Sequence, residues 1–171
     1  MAPHEIFARM SPATATQLLS FLFEKEKPLY KASVEALAKQ RNVRSVYIER
    51  KSREERFAWL QNALSRPAGG AVGAHLLQVW LIAAHAPLLC DFLDGLGISH
   101  DENGTVEDLP PSPPVEKIAP VVEALLGKYD RELVAIYLHA FQALDENGGW
   151  SALGELLESD SRLHLEQSAA A

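Results

Sequence analysis

Along most of the chain, apolar side chains return every three or four residues, the spacing that lines one face of an α-helix. Ser11 before Pro12 is an N-cap ahead of proline at a first helical position, and Leu18, Leu19, Phe21, Leu22 and Phe23 carry the pattern to about Lys25. Pro3 to Arg9 reads as a short opening turn. Pro28 opens the next helix, with Tyr30, Val34, Leu37 and Ala38 on its stripe. Ser52, with Glu55 three places on, has the form of a capping box for a helix carrying Phe57, Leu60, Ala63 and Leu64. The longest pattern runs from about Ala71 to Leu93, through Leu76, Leu77, Trp80, Leu81, Leu88 and Phe92. Pro87 lies inside it and cannot donate to the carbonyl four residues back, so a kink or break is expected around His85 to Pro87.

The second half repeats the helical period. Ile118, Val122, Leu125 and Leu126 mark one stripe, and Leu133, Ile136, Tyr137, Ala140, Phe141 and Leu144 the next, capped by Asp130. A short final helix covers Trp150 to Leu157. Two stretches depart from this period. Residues 42–52 read as an irregular connection or a brief extended piece. Between Ile98 and Glu107, short runs flank Asn103-Gly104, a tight-turn dipeptide that allows a miniature β-hairpin. Leu109 to Pro114 is a stiff proline-rich linker. The expected architecture is all-α, a bundle of about six to eight helices with a short β-hairpin near residues 98–107. It reads as one helical domain over residues 1–165, divisible into 1–66 and 67–165, with a flexible tail at 166–171.

Composition supports a packed core. Of the 171 residues, 47% are apolar, with three Trp, four Tyr and six Phe. Cys90 is the only cysteine, so no intrachain disulfide can form, and a reducing, cytoplasmic setting is expected. The greasiest run, Leu76 to Cys90, contains His85 and Pro87 and is too short for a bilayer, which needs about 20 residues. It is read as a buried helix, with no membrane partner.

Charge is unevenly laid out. Residues 1–66 carry twelve Lys/Arg and seven Asp/Glu, whereas residues 67–171 carry four and sixteen, within an overall formal charge of −7. No Lys or Arg occurs between Arg66 and Lys117.

Motifs for catalysis and metal binding fail on spacing. Asp-Glu-Asn-Gly occurs at 101–104 and 145–148, but a calcium loop needs glycine sixth and glutamate twelfth. Those places hold Val106 and Ser112 in one copy, Trp150 and Leu156 in the other. Both fit turn chemistry instead. Ser151 has its glycine three residues on, at Gly154, not the two a nucleophile elbow requires. The glycines at 69, 70 and 73 have neither the preceding strand nor the lysine of a phosphate loop. The histidines at 4, 75, 85, 100, 139 and 164 include no pair at helical metal-ligand spacing, and Cys90 lies in apolar surroundings. No catalytic residue, metal ligand or cofactor site is therefore assigned.

The basic segment from Lys39 to Arg66 remains. Eight Lys/Arg stand there against three Glu, with Tyr47 and Trp59 between them. Arg50, Lys51, Arg53 and Arg56 are the expected partner-binding residues of a non-enzymatic interaction or regulatory protein, the partner being an acidic protein or a second copy. Nucleic acid fits less well, because Glu54 and Glu55 sit within the cluster and the second half would repel a polyanion. The alternative function is an enzyme or small-ligand binder, with a pocket on the inner surface of the long helix lined by His75, Gln78 and His85.

Overall fold

The computed structural model describes residues 1–145 and 149–165. Among them are ten α-helices and no strand, so the protein is all-α. The expected tail at 166–171, and 146–148 of the second Asp-Glu-Asn-Gly turn, lie outside the described residues. The chain divides into two compact units, Ala2–Trp80 and Leu81–Leu165.

In the first unit, α1 (Pro3–Arg9), α2 (Pro12–Lys25), α3 (Lys27–Gln40), α4 (Ser45–Glu49) and α5 (Arg53–Leu64) precede a 3-10 turn (Pro67–Gly69) and the part of α6 (Gly70–Ala84) up to Trp80. Helix α5 is the central post, packed against α1, α2, α3 and α4. Its inner residues Phe57, Leu60, Ala63 and Leu64 share a core with Ile6, Phe7, Leu18, Leu22, Val34, Leu37 and Ile48. The caps read from the sequence are made. Ser11 Oγ accepts the Thr14 amide, and Ser52 and Glu55 exchange side-chain and backbone bonds at 3.2 and 3.0 Å. Gln61 Nε2 donates to the Met10 carbonyl at 3.0 Å, tying α5 to the end of α1.

The second unit holds α7 (Ala86–Gly95), α8 (Val115–Lys128), α9 (Arg131–Leu144), α10 (Ser151–Ser159) and a 3-10 turn, Ser161–Leu163. Helix α9 is buried at every residue from Val134 to Ala140. Phe92, Tyr137, Phe141 and Trp150 form a cluster of edge-on and tilted rings with centroids 4.9 to 6.3 Å apart. The Trp150 indole donates to the Pro110 carbonyl at 2.9 Å, which pins the proline-rich linker. Gln142 brackets the Trp150 backbone, accepting from its N–H at 2.9 Å and donating to its carbonyl at 3.1 Å.

Several expectations are corrected. Ten helices stand where six to eight were expected. One added helix is α1, read as a turn. Another is α4, in the stretch read as irregular or extended, where buried Ile48 anchors a five-residue helix. The break expected around His85 to Pro87 is present and contributes to the ten: His85 leaves helical geometry at φ −130° just before Pro87 in α7. Finally, no hairpin forms at 98–107. The Asp101 carboxylate accepts the Asn103 and Thr105 amides at 2.9 and 2.8 Å, so the donors a strand ladder would use are taken by a side chain.

The division between the units falls inside α6, between Trp80 and Leu81. Pro67–Ala84 is long and apolar enough to cross a membrane by length and composition, with mean hydropathy 1.3 over 18 residues. Within the fold, its bulky residues Leu76, Leu77, Trp80 and Leu81 form one buried stripe, as in a core helix.

Candidate functional site

The basic segment comes to the surface at α4 and the start of α5. A five-residue helix can bury only one side, and Ile48 takes it, leaving Val46 and Tyr47 turned outward. They are 40% and 58% exposed, the two large apolar residues among the described ones that face water. Around them stand Arg44, Arg50, Lys51 and Arg53, all exposed. Arg44, Arg50 and Lys51 form no ion pair among the described residues.

Arg53 is held more firmly. It pairs with Glu24 at 2.8 Å, and its guanidinium lies 5.2 Å from the Phe23 ring centre and 5.3 Å from that of Phe57. Both members of the pair are about half exposed, so solvent screens the attraction and its main effect is to orient the fork. Arg56 behaves differently from the other three expected partner-binding residues. It turns inward, 5.8 Å from the Phe23 ring centre, with its Nε enclosed beside the Tyr30 hydroxyl. Burial pushes the Tyr30 phenol up, and the Arg56 guanidinium partly offsets this. Arg56 belongs to the support of the surface, together with the Phe23, Tyr30 and Phe57 ring cluster.

Next to this surface, between α2 and α5, runs an apolar groove of about 410 Å³. Thr16, Leu19, Phe57, Ala58 and Gln61 line it, with Arg53 and Glu54 at the rim. The site therefore combines a cationic rim, an exposed aromatic and a groove able to take an apolar side chain.

Of the residues expected to form a ligand pocket, His75 and Gln78 stand about one turn apart on α6, and His85 is the N-cap of α7. His75 and Gln78 are exposed, because Leu76, Leu77, Trp80 and Leu81 occupy the buried stripe of α6. His75 does line a shallow groove between α3 and α6, whose other walls are Leu29, Ala32, Ser33, Ala36, Ala71 and Val72. His85 is half-buried, and burial pushes its imidazole below the usual range. Among the described residues, no group of three or more His, Cys, Asp or Glu is placed to hold a metal ion.

Sequence reading missed several polar clusters in the second unit. Asp91 accepts from Lys128 at 2.5 Å and from the Tyr129 hydroxyl at 2.6 Å, and these donors hold its carboxyl below the usual range. Arg162 grips Glu123 at 2.7 Å and Asp160 at 2.8 Å. His100 lies between Asp94 and the Asp101 carbonyl. Asp91 and Lys128 are 37 residues apart, a separation at which no local spacing rule operates.

Comparison with protein-family models, with curated proteins and with solved structures finds no match to this chain.

Proposed function

We propose that the protein is a non-enzymatic interaction module whose first unit docks an acidic protein segment on the α4–α5 surface. One observation carries this reading: Arg44, Arg50 and Lys51 stand exposed around the exposed Tyr47, without ion-pair partners among the described residues. Solvated cations with an aromatic beside them form the usual rim of a protein-binding patch, where arginine and tyrosine supply much of the contact energy. The neighbouring groove would receive one apolar side chain of the partner, while Arg53 at its rim meets a carboxylate in fork geometry. A reducing, cytoplasmic setting belongs to the same proposal and follows from the single cysteine.

The test uses the full chain and two fluorescent probes of equal negative charge, a glutamate-rich peptide with one leucine and a single-stranded oligonucleotide. Binding of the peptide to the natural chain, and its loss in the Arg50→Glu, Lys51→Glu, Arg53→Glu variant, is the expected result. Arg56 is left untouched because its guanidinium is part of the packing. Equal peptide binding by the variant would reject this surface. Preference for the oligonucleotide, with a steep loss on adding salt, would reassign it to nucleic acid.

A further inference from the structure

We propose that His100 is a pH-operated latch that holds the 98–108 segment down on α7. Both ring nitrogens of this imidazole face acceptors. Nε2 lies 3.1 Å from the Asp94 carboxylate of α7, and Nδ1 lies 2.5 Å from the Asp101 carbonyl. Only the imidazolium has a proton on each nitrogen. A neutral ring carries one, so either the carboxylate or the carbonyl is left facing a lone pair, and that contact becomes repulsive. The geometry is therefore complete for the cation alone.

The surroundings reinforce this charge. The His100 side chain is only 13% exposed. Asp94 faces it from α7 and Asp101 from its own turn, while Glu107 and Asp108 line the same open groove. Asp91, one turn earlier on α7, is taken up by Lys128 and Tyr129 of α8. Among the described residues, no Lys or Arg lines the groove. Consistently, the Asp101 carbonyl first and the Asp94 carboxylate second hold the imidazole above its usual range.

What the latch holds is a preformed body. Asp101 and Thr105 are joined backbone to backbone at 3.0 Å, and the Asp101 carboxylate ties in Asn103 and Thr105. Gly104, at φ +74°, lays its backbone against Leu89 and Cys90, where a Cβ would come within 2.5 Å of the Leu89 side chain. The root of the segment stays fixed whatever the state of His100, because the Ile98 N–H donates to the Leu93 carbonyl of α7 at 2.9 Å. Beyond it, among the described residues, the other polar tie from the 101–105 turn to the helix is a weak one, from the Cys90 thiol to the Glu102 carbonyl at 3.6 Å. Loss of one proton from His100 to solvent thus removes the charged attachment and leaves contacts a turn can shed.

The sign follows from the raised pKa. The latch is fully formed below the ordinary histidine value of about 6.5 and is released as pH rises through the higher folded value. In the full chain, the His100 imidazole resonances should titrate with a midpoint above the ordinary value, and Asp94→Asn should lower it. Exchange of the Asn103 and Thr105 amides and alkylation of Cys90 report the turn itself. The rate ratio of His100→Ala to the natural chain should exceed about threefold near pH 6 and approach one near pH 9. Taking the ratio cancels the ordinary pH dependence of exchange and thiol chemistry. A midpoint at or below the ordinary value, no response to Asp94→Asn, or a ratio that does not change with pH would each overturn the latch. Asp94→Asn keeps the imidazole, so it stays decisive if the alanine variant loosens more than the turn.

Discussion

Two adjacent glycines should respond in opposite directions to the same substitution. Gly69 closes the 3-10 turn after α5, and a Cβ there would lie 2.5 Å from the Ala63 carbonyl oxygen and 3.0 Å from the Leu64 Cα. Both are backbone atoms at the end of the central helix, so no side chain can rotate away. The turn itself must move off α5, and overpacking of this kind costs about 1–3 kcal/mol. Gly70, one residue later, sits at φ −58°, ψ −43° in helical geometry, and its Cβ would find only His4 Nδ1, at 3.7 Å. Alanine there restricts the unfolded chain without strain and should stabilise by about 0.4–1 kcal/mol. The variants Gly69→Ala and Gly70→Ala should therefore differ by about 1.4–4 kcal/mol, or about 3–16 °C in melting temperature for a chain of this size. Urea unfolding followed by far-ultraviolet circular dichroism measures this directly, provided the slopes match. A Gly69→Ala chain as stable as the natural one, or a Gly70→Ala chain less stable than Gly69→Ala, would refute the packing on which the estimate rests.

Phe92 is fully buried, with ring centres of Tyr137 and Phe141 at 5.5 and 5.4 Å, so Phe92→Ala should cost about 3–5 kcal/mol in urea unfolding and Phe92→Leu much less. Asp91 makes its stabilising contribution as the anion, above the ordinary carboxylate value of about 3.9, and loses it as pH falls through its lowered folded value. The urea midpoints of Asp91→Asn and the natural chain should therefore differ at neutral pH and converge well below pH 4; a gap persisting in strong acid would show that shape, not charge, was lost.

Local chemistry announced itself in the chain. Ser52 with Glu55, Ser11 before Pro12, and Asp130 at the head of α9 cap the helices they were read to cap, because a cap needs only a side chain and the amide two or three residues on. Pro87 broke the long pattern because a missing N–H is a property of the residue itself. The same locality misled at Asn103-Gly104. The dipeptide does turn, but whether a ladder follows depends on which acceptor claims the flanking amides, and the Asp101 carboxylate claimed them. Likewise α4 owes its helical form to burial of Ile48, which no spacing within five residues can announce.

For the candidate site, charge and position along the chain were readable, but direction was not. Arg50, Lys51, Arg53 and Arg56 look alike in sequence, yet three face water and one is folded into an aromatic cluster built from α2, α3 and α5. His75 and Gln78 were displaced to the outside because four larger neighbours bury more apolar area on the opposite face of α6. His100 became a latch only when a turn brought it back onto Asp94, six residues away and on a finished helix. What the sequence by itself determined is the helical period, the ends of helices and the balance of charge, since these follow from interactions between near neighbours. Which polar group meets which, and which cation stays in water, was decided by tertiary packing, where burial of apolar area outweighs the placement of any single charge.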